Sequence, residues 1–189
     1  MSEAEPNEII RRHLDHFFVG HAYKEHIWPL GPALTELPNL RVYEFAPGPK
    51  TNLWVYATIG AWGARNDPKL EFVITAAEPD QKHVELLFMS AWYHKHHCLG
   101  TGHTLPIGRP WLPGSTCEFL LVSTPYPFGP DLEVCNFSDN HVHFLWLLPI
   151  TSEEREFKVR EGLEALEQRF DECAIEYWIP NRASAIVPR

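Results

Sequence analysis

Five side chains that could hold a metal or attack an electrophile lie within ten positions: His94, His96, His97, Cys98 and His103. On a helix, His94, His97 and Cys98 fall at i, i+3 and i+4 and share one face, a workable ligand spacing for a transition metal. The sequence has no H-E-x-x-H, and no carboxylate follows at ligand spacing. Imidazoles also suit the last turn of a helix, where they complement its dipole. The second explanation is the simpler one, with a metal-binding protein or metal-dependent enzyme on His94, His97, Cys98 and His103 as the alternative. His141 and His143 point to one face of a strand because side chains alternate. Val142, Phe144 and Trp146 then take the core face and leave the imidazoles the polar one.

Nucleophilic chemistry finds little to work with. Ser115 lies in P-G-S-T and not in G-x-S-x-G, so the strained elbow that exposes a serine nucleophile is missing. Cys98 has histidine neighbours, but adjacency along the chain does not make a dyad. Gly100-Thr101-Gly102 follows a helix and meets Leu105 where a third glycine is needed, which rejects the dinucleotide fingerprint. No catalytic residue and no cofactor is expected. Trp111, Tyr126 and Phe128 are the better functional candidates. Each is flanked by proline in a stiff loop, and a rigid ring loses little entropy when it anchors an interface. The competing possibility is that these rings fold back and cap the core.

The elements that must position these residues can be read from periodicity. Asn7 is a candidate cap for a helix through Phe18, with Ile10, Leu14, Phe17 and Phe18 as its apolar stripe. His21 to Pro38 has the composition of a packed connector. Strands are expected at Leu40–Phe45, Leu53–Ile59 and Leu70–Thr75, joined by short turns as an antiparallel meander. Gln81 to His97 has a helical stripe at Val84, Leu87, Phe88, Ala91 and Trp92, with Asp80 as N-cap. Within the proline-rich stretch from Gly102 to Pro130, Cys117 to Ser123 is a compact apolar strand. Val134 to Phe137 reads as a short edge strand, and Asp139-Asn140 as a turn into a strand from Val142 to Leu148. Beyond Pro149, Thr151-x-x-Glu154 spells a capping box. Val159, Leu163, Leu166 and Phe170 form the inward stripe of the helix it opens. Ile175 to Ile179 is read as a last strand.

Composition bounds the rest. A chain of 189 residues suits one domain with a real core, and nothing marks a linker, so residues 1–189 are expected to form a single domain. The formal charge of -9 argues against nucleic acid, whose phosphates require a basic face, and favours encounter with a basic protein. The four cysteines, Cys98, Cys117, Cys135 and Cys173, form no C-x-x-C pair, which argues against a zinc ribbon or a redox motif. The acidic start, M-S-E-A-E-P-N-E, is unlike a secretory signal, and no run approaches the about 18 apolar residues that span a bilayer. A cytoplasmic protein with reduced thiols and no membrane contact is expected.

Several ordered segments resemble the suppressor of fused domain family: Gly102-His103, Leu112-Pro113-Gly114-Ser115, Phe119-Leu120-Leu121-Val122 and Pro125. The likeness continues through Phe144-Leu145-Trp146-Leu147-Leu148-Pro149-Ile150-Thr151 with Glu153-Glu154, then Gly162-Leu163-Glu164-Ala165-Leu166. Asn181-Arg182 with Ser184 and Ile186-Val187 is similar to the family's terminal arginine motif. The likeness spans roughly residues 54–187. Asn181 departs from the pattern, since an aspartate is usual shortly before the arginine, so a buried Asp–Arg pair there does not carry over. The resemblance implies an α+β domain with a central mixed, largely antiparallel sheet flanked by helices, and no enzymatic activity. In animals the founding member binds and restrains a transcription factor. Stand-alone bacterial members, which this short chain resembles, include immunity proteins that neutralise a polymorphic toxin, so the implied partner is a protein, a toxin domain.

Overall fold

The computed structural model describes residues 4–137 and 140–186. Its centre is an eight-stranded mixed sheet in the order β1-β2-β3-β4-β8-β6-β5. The strands are β1 (Tyr23–His26), β2 (Arg41–Phe45), β3 (Trp54–Ile59), β4 (Leu70–Ala76), β5 (Thr104–Pro106), β6 (Cys117–Ser123), β7 (Val134–Phe137) and β8 (Asn140–Thr151). Strands β1 to β4 form the expected antiparallel meander. Among the described residues the one parallel pairing joins β4 to β8, with Val73 beside Trp146. β8 carries β7 and then β6 along its other side, both antiparallel.

Burial on both faces explains why the middle strands read as nearly continuous apolar runs. All seven residues of β4, L-E-F-V-I-T-A, are buried. On one face Phe72, Ile74, Tyr56, Leu145 and Leu147 pack under α3 (Gln81–His96) with Val84, Leu87, Phe88 and Ala91. On the other, Val55, Ala57, Val73 and Phe144 meet Ile10, Leu14, Phe17 and Phe18 of α1 (Ala4–Phe17) and the residue just after it. Beside α1 on that second face, Leu121, Trp146, Leu148 and Ile150 pack against Leu166 and Phe170 of α6 (Leu163–Cys173). Among the described residues no helix is long and apolar enough to cross a membrane.

Local chemistry sets the helix starts. Asp80 caps α3, its Oδ1 accepting from the Lys82 amide at 2.7 Å. Thr151 and Glu154 complete the capping box at the head of α5 (Ser152–Glu161). Asn7 is not a cap: α1 begins at Ala4, and the Asn7 amide oxygen accepts from the Trp62 indole at 2.6 Å. The helix expected after Thr151 is two. Gly162 sits at φ 96°, ψ 168°, which ends α5 and starts α6 in a new direction. That break leaves Val159 67% exposed, so it is no part of the inward stripe, whereas Leu166 and Phe170 are.

Three further departures have physical causes. The connector after α1 supplies an edge strand, β1, and a short helix, α2 (Ala33–Glu36), although Y-K-E-H has no apolar alternation. It is extended because the free edge of β2 offers a ladder to bond. β8 does not stop before Pro149 but continues through it to Thr151, with Pro149 opposite Leu120. By then β8 has outrun β4, a place where a strand tolerates a missing N–H. Residues 175–179 form no strand. Their amides close turns instead, Ile175 onto the Phe170 carbonyl at 3.1 Å and Ile179 onto the Glu176 carbonyl at 2.9 Å. The short helix α4 (Pro130–Glu133) leads into β7, which is the expected strand from Val134 to Phe137. Asp139 of the expected turn, and Val187 of the terminal motif, fall outside the described residues.

Candidate partner-binding face

The histidine cluster at the end of α3 does not converge. The His94 side chain is fully buried, and both its ring nitrogens are engaged: Nδ1 accepts from the Leu99 amide at 3.1 Å and Nε2 faces the Pro68 carbonyl at 3.1 Å. A ring with one nitrogen accepting from an amide and the other donating to a carbonyl has no lone pair left for a metal. Burial also holds its pKa below the usual histidine range, against a raising pull from the Pro68 carbonyl. His97 lies on the surface against Tyr93, with ring centroids 4.7 Å apart, and Cys98 and His103 are exposed. His141 and His143 meet edge to face at 4.9 Å with no third ligand. Among the described residues, no three His, Cys, Asp or Glu side chains are grouped to hold a metal ion.

The three loop aromatics part company. Trp111 is 1% exposed and packs edge-on against His83, so it caps the core beside α3 and cannot anchor a partner. Its backbone bonds to Cys117, the start of β6, and that bond turns the ring inward. Phe128 is half-buried and packs against Phe17 and Phe18 at 6.0 and 5.8 Å, closing α1 onto the sheet. Tyr126 alone stays out, 51% exposed.

Tyr126 is held in place by what lies behind it. Its ring meets Trp146 edge to face at 5.3 Å, Trp146 meets Tyr177 at 4.5 Å, and Tyr177 meets Trp178 at 4.8 Å, each pair near perpendicular. This row of four rings runs from the loop after β6, across β8, to the strap of residues 174–186. A hollow of about 240 Å³ opens on one side of it, between Ser123, Tyr126, Leu148 and the α6 residues Glu167, Phe170 and Asp171. A second, of about 370 Å³, lies by Trp178 and is lined by Glu78, Asp80, Leu112 and Ile179. Burial pushes the Tyr126 phenol up to about 12, with Tyr177 and the carboxylates of Asp171 and Glu167 adding to it.

The strap carries two of the four rings but has no regular structure, so its position depends on side-chain bonds. Arg182 supplies most of them. Its guanidinium grips the buried carboxylate of Glu154 with both terminal nitrogens, Nη1 to Oε1 at 2.6 Å and Nη2 to Oε2 at 2.7 Å. Nη2 also donates to the Pro149 carbonyl at 3.0 Å. The same carboxylate accepts from the Ala185 amide at 2.8 Å and, as part of the capping box, from the Thr151 amide at 2.9 Å. The acidic partner of Arg182 is therefore Glu154, 28 residues away in sequence. The T-x-x-E motif located Glu154 as a cap; nothing local tied it to Arg182, or placed Tyr177 beside Trp146.

Comparison with known proteins agrees with this architecture. A model of the suppressor of fused protein (SUFU) family matches residues 36–183. No curated protein matches the sequence. Among solved structures, a SUFU homolog from Neisseria gonorrhoeae FA 1090 is 36% identical, aligns over 98% of this chain and 100% of its own, and superposes with a TM-score of 0.86. The fold extends to a Sufu–Fu complex, at 14% identity over 95% of this chain and 92% of that one, with a TM-score of 0.69. It extends also to Drosophila Suppressor of Fused, at 15% identity over 95% of this chain and 51% of that one, with a TM-score of 0.69. With its mixed sheet, its two-sided core and a family match over most of its length, the chain belongs to the suppressor of fused family.

Proposed function

We propose that the chain is a non-enzymatic, cytoplasmic protein-binding domain that acts by occupying the surface of one partner in a stoichiometric complex. We further propose that the partner is a toxin domain, which makes this an immunity protein. The observation that carries the protein-binding reading is the row of rings ending at Tyr126: a large, exposed aromatic whose position is fixed by buried neighbours. Such a side chain contributes contact area with little ordering cost. Family membership supports the same class, since a fold-level relative was crystallised as a Sufu–Fu complex. The net charge of -9 suits a basic partner, because opposite net charges speed encounter.

Sequencing the genes beside this one, and mixing the purified chain with any toxin domain found there, tests both statements. A 1:1 complex by light scattering, together with loss of toxicity on co-expression, is the expected result. No complex with that domain would overturn the immunity assignment. Turnover of a substrate by the isolated chain, abolished by altering a single side chain, would overturn the non-enzymatic one.

A further inference from the structure

We infer that the hollow beneath Tyr126 receives an arginine side chain of the protein partner, an inference that rests on the protein-binding reading above and gives it a chemical form. Glu167 and Asp171 lie four residues apart on α6, and so one turn apart on the same face. Glu167 uses one carboxylate oxygen to accept from the Ser123 hydroxyl at 3.0 Å, which fixes the side chain and leaves its other oxygen open. The Asp171 carboxylate has no hydrogen-bond donor and no ion-pair partner among the described residues.

No lysine or arginine lines the hollow. The two nearby guanidinium groups are both committed: Arg169 to Glu172 at 2.7 Å, and Arg182, 5.9 Å from the Phe170 ring, to Glu154. The site is thus electronegative, half-enclosed and without a cation of its own. Tyr126 adds a ring held edge-on by Trp146, whose π-face favours a cation. Leu148 and Phe170 provide an apolar floor for an alkyl stem. A planar guanidinium can bridge two carboxylates and stack on an aromatic ring together, which a compact ammonium cannot do. The space suits one long side chain.

The test uses the intact protein and a small probe, N-acetyl-arginine amide, followed through the indole N–H resonance of Trp146 behind the Tyr126 ring. Arginine amide is expected to shift that resonance saturably, while its neutral isostere N-acetyl-citrulline amide leaves it in place. The Glu167→Gln/Asp171→Asn double variant, with its circular dichroism unchanged, is expected to abolish the response. Tyr126→Leu is expected to weaken it about five- to tenfold. No shift with arginine amide, an equal shift with citrulline amide or lysine amide, or an undiminished shift in the double variant would each overturn the assignment. The outcome is separable from that of the mixing experiment: a toxin complex that forms in the double variant with full affinity sinks the arginine site and leaves the protein-binding reading standing.

Discussion

Glu71 and His83 are buried ionisable groups that pull stability in opposite directions. Glu71, on β4, accepts from the amides of Gly60 at 2.8 Å and of Ala61 and Trp62 at 3.2 Å each. These bonds favour the carboxylate, but burial outweighs them and pushes its pKa from 4.5 up to about 7. The folded state therefore binds more protons than the unfolded one between those values, and its stability falls as pH rises through that window. Burial lowers the His83 pKa from 6.5 to about 4, so its contribution is lost as pH falls from 6.5 towards 4. His13 and His94 are lowered too, also by burial, and act in the same sense as His83. Each of the two large shifts corresponds to something on the order of 3 kcal/mol, so near pH 5–6 Glu71 opposes His83, while His13 and His94 add to the histidine side. Glu71→Gln removes the opposing contribution. Urea midpoints of this variant are expected to climb with pH more steeply than those of the wild type, and parallel slopes would show that Glu71 ionises freely in the fold.

At the scale of elements, chemistry confined to a few neighbours was legible and chemistry supplied from afar was not. The capping box is the clearest case, because hydroxyl, spacer and glutamate lie within four residues, and both of its bonds are present. Thr151→Ala is expected to cost about 1 kcal/mol in thermal or chemical unfolding, with Thr151→Ser retaining most of it. A full loss in the serine variant would assign the effect to packing of the methyl group instead. Strands β2, β3, β4 and β6 were legible because burial on both faces selects continuous apolar runs. β1 was not, since Y-K-E-H carries no signal without the edge of β2 beside it. The reading of 175–179 as a strand had the right residue types, but Tyr177 is claimed by Trp146, and the backbone turns to bring it there. The same limit divided the candidate site. Flanking prolines revealed that Trp111, Tyr126 and Phe128 are stiff, but not which way each ring points, and only Tyr126 faces outwards. Tyr177 and Arg182 gain their places from contacts that span long stretches of sequence.

The whole molecule is one sheet covered on both faces, with its last described segment fastened chiefly at Glu154, by the Arg182 guanidinium and the Ala185 amide. Removing one member of a buried ion pair strands the other charge, so Arg182→Ala is expected to destabilise the protein by about 3–5 kcal/mol. Because the pair is bidentate, Arg182→Lys should recover little of that loss. The signature that separates a strap clasp from general unfolding is local. Release of the strap removes Tyr177 from Trp146, so at mild denaturant Trp146 fluorescence is expected to change before the helical signal falls. Coincident transitions would mean the strap does not open separately.

Glu154 gathers the head of α5, the end of β8 at Thr151 and the strap at Arg182 and Ala185 onto one carboxylate. Ribosomes deliver those partners in order, and the guanidinium arrives 28 residues after the acid. Until it emerges, a nascent chain already holding every strand of the sheet lacks the cation that makes this carboxylate's burial tolerable. Without that cation the charged form of Glu154 favours water, so a chain truncated before Arg182 is expected to hold the first turn of α5 and the ring row behind Tyr126 less firmly than the full chain.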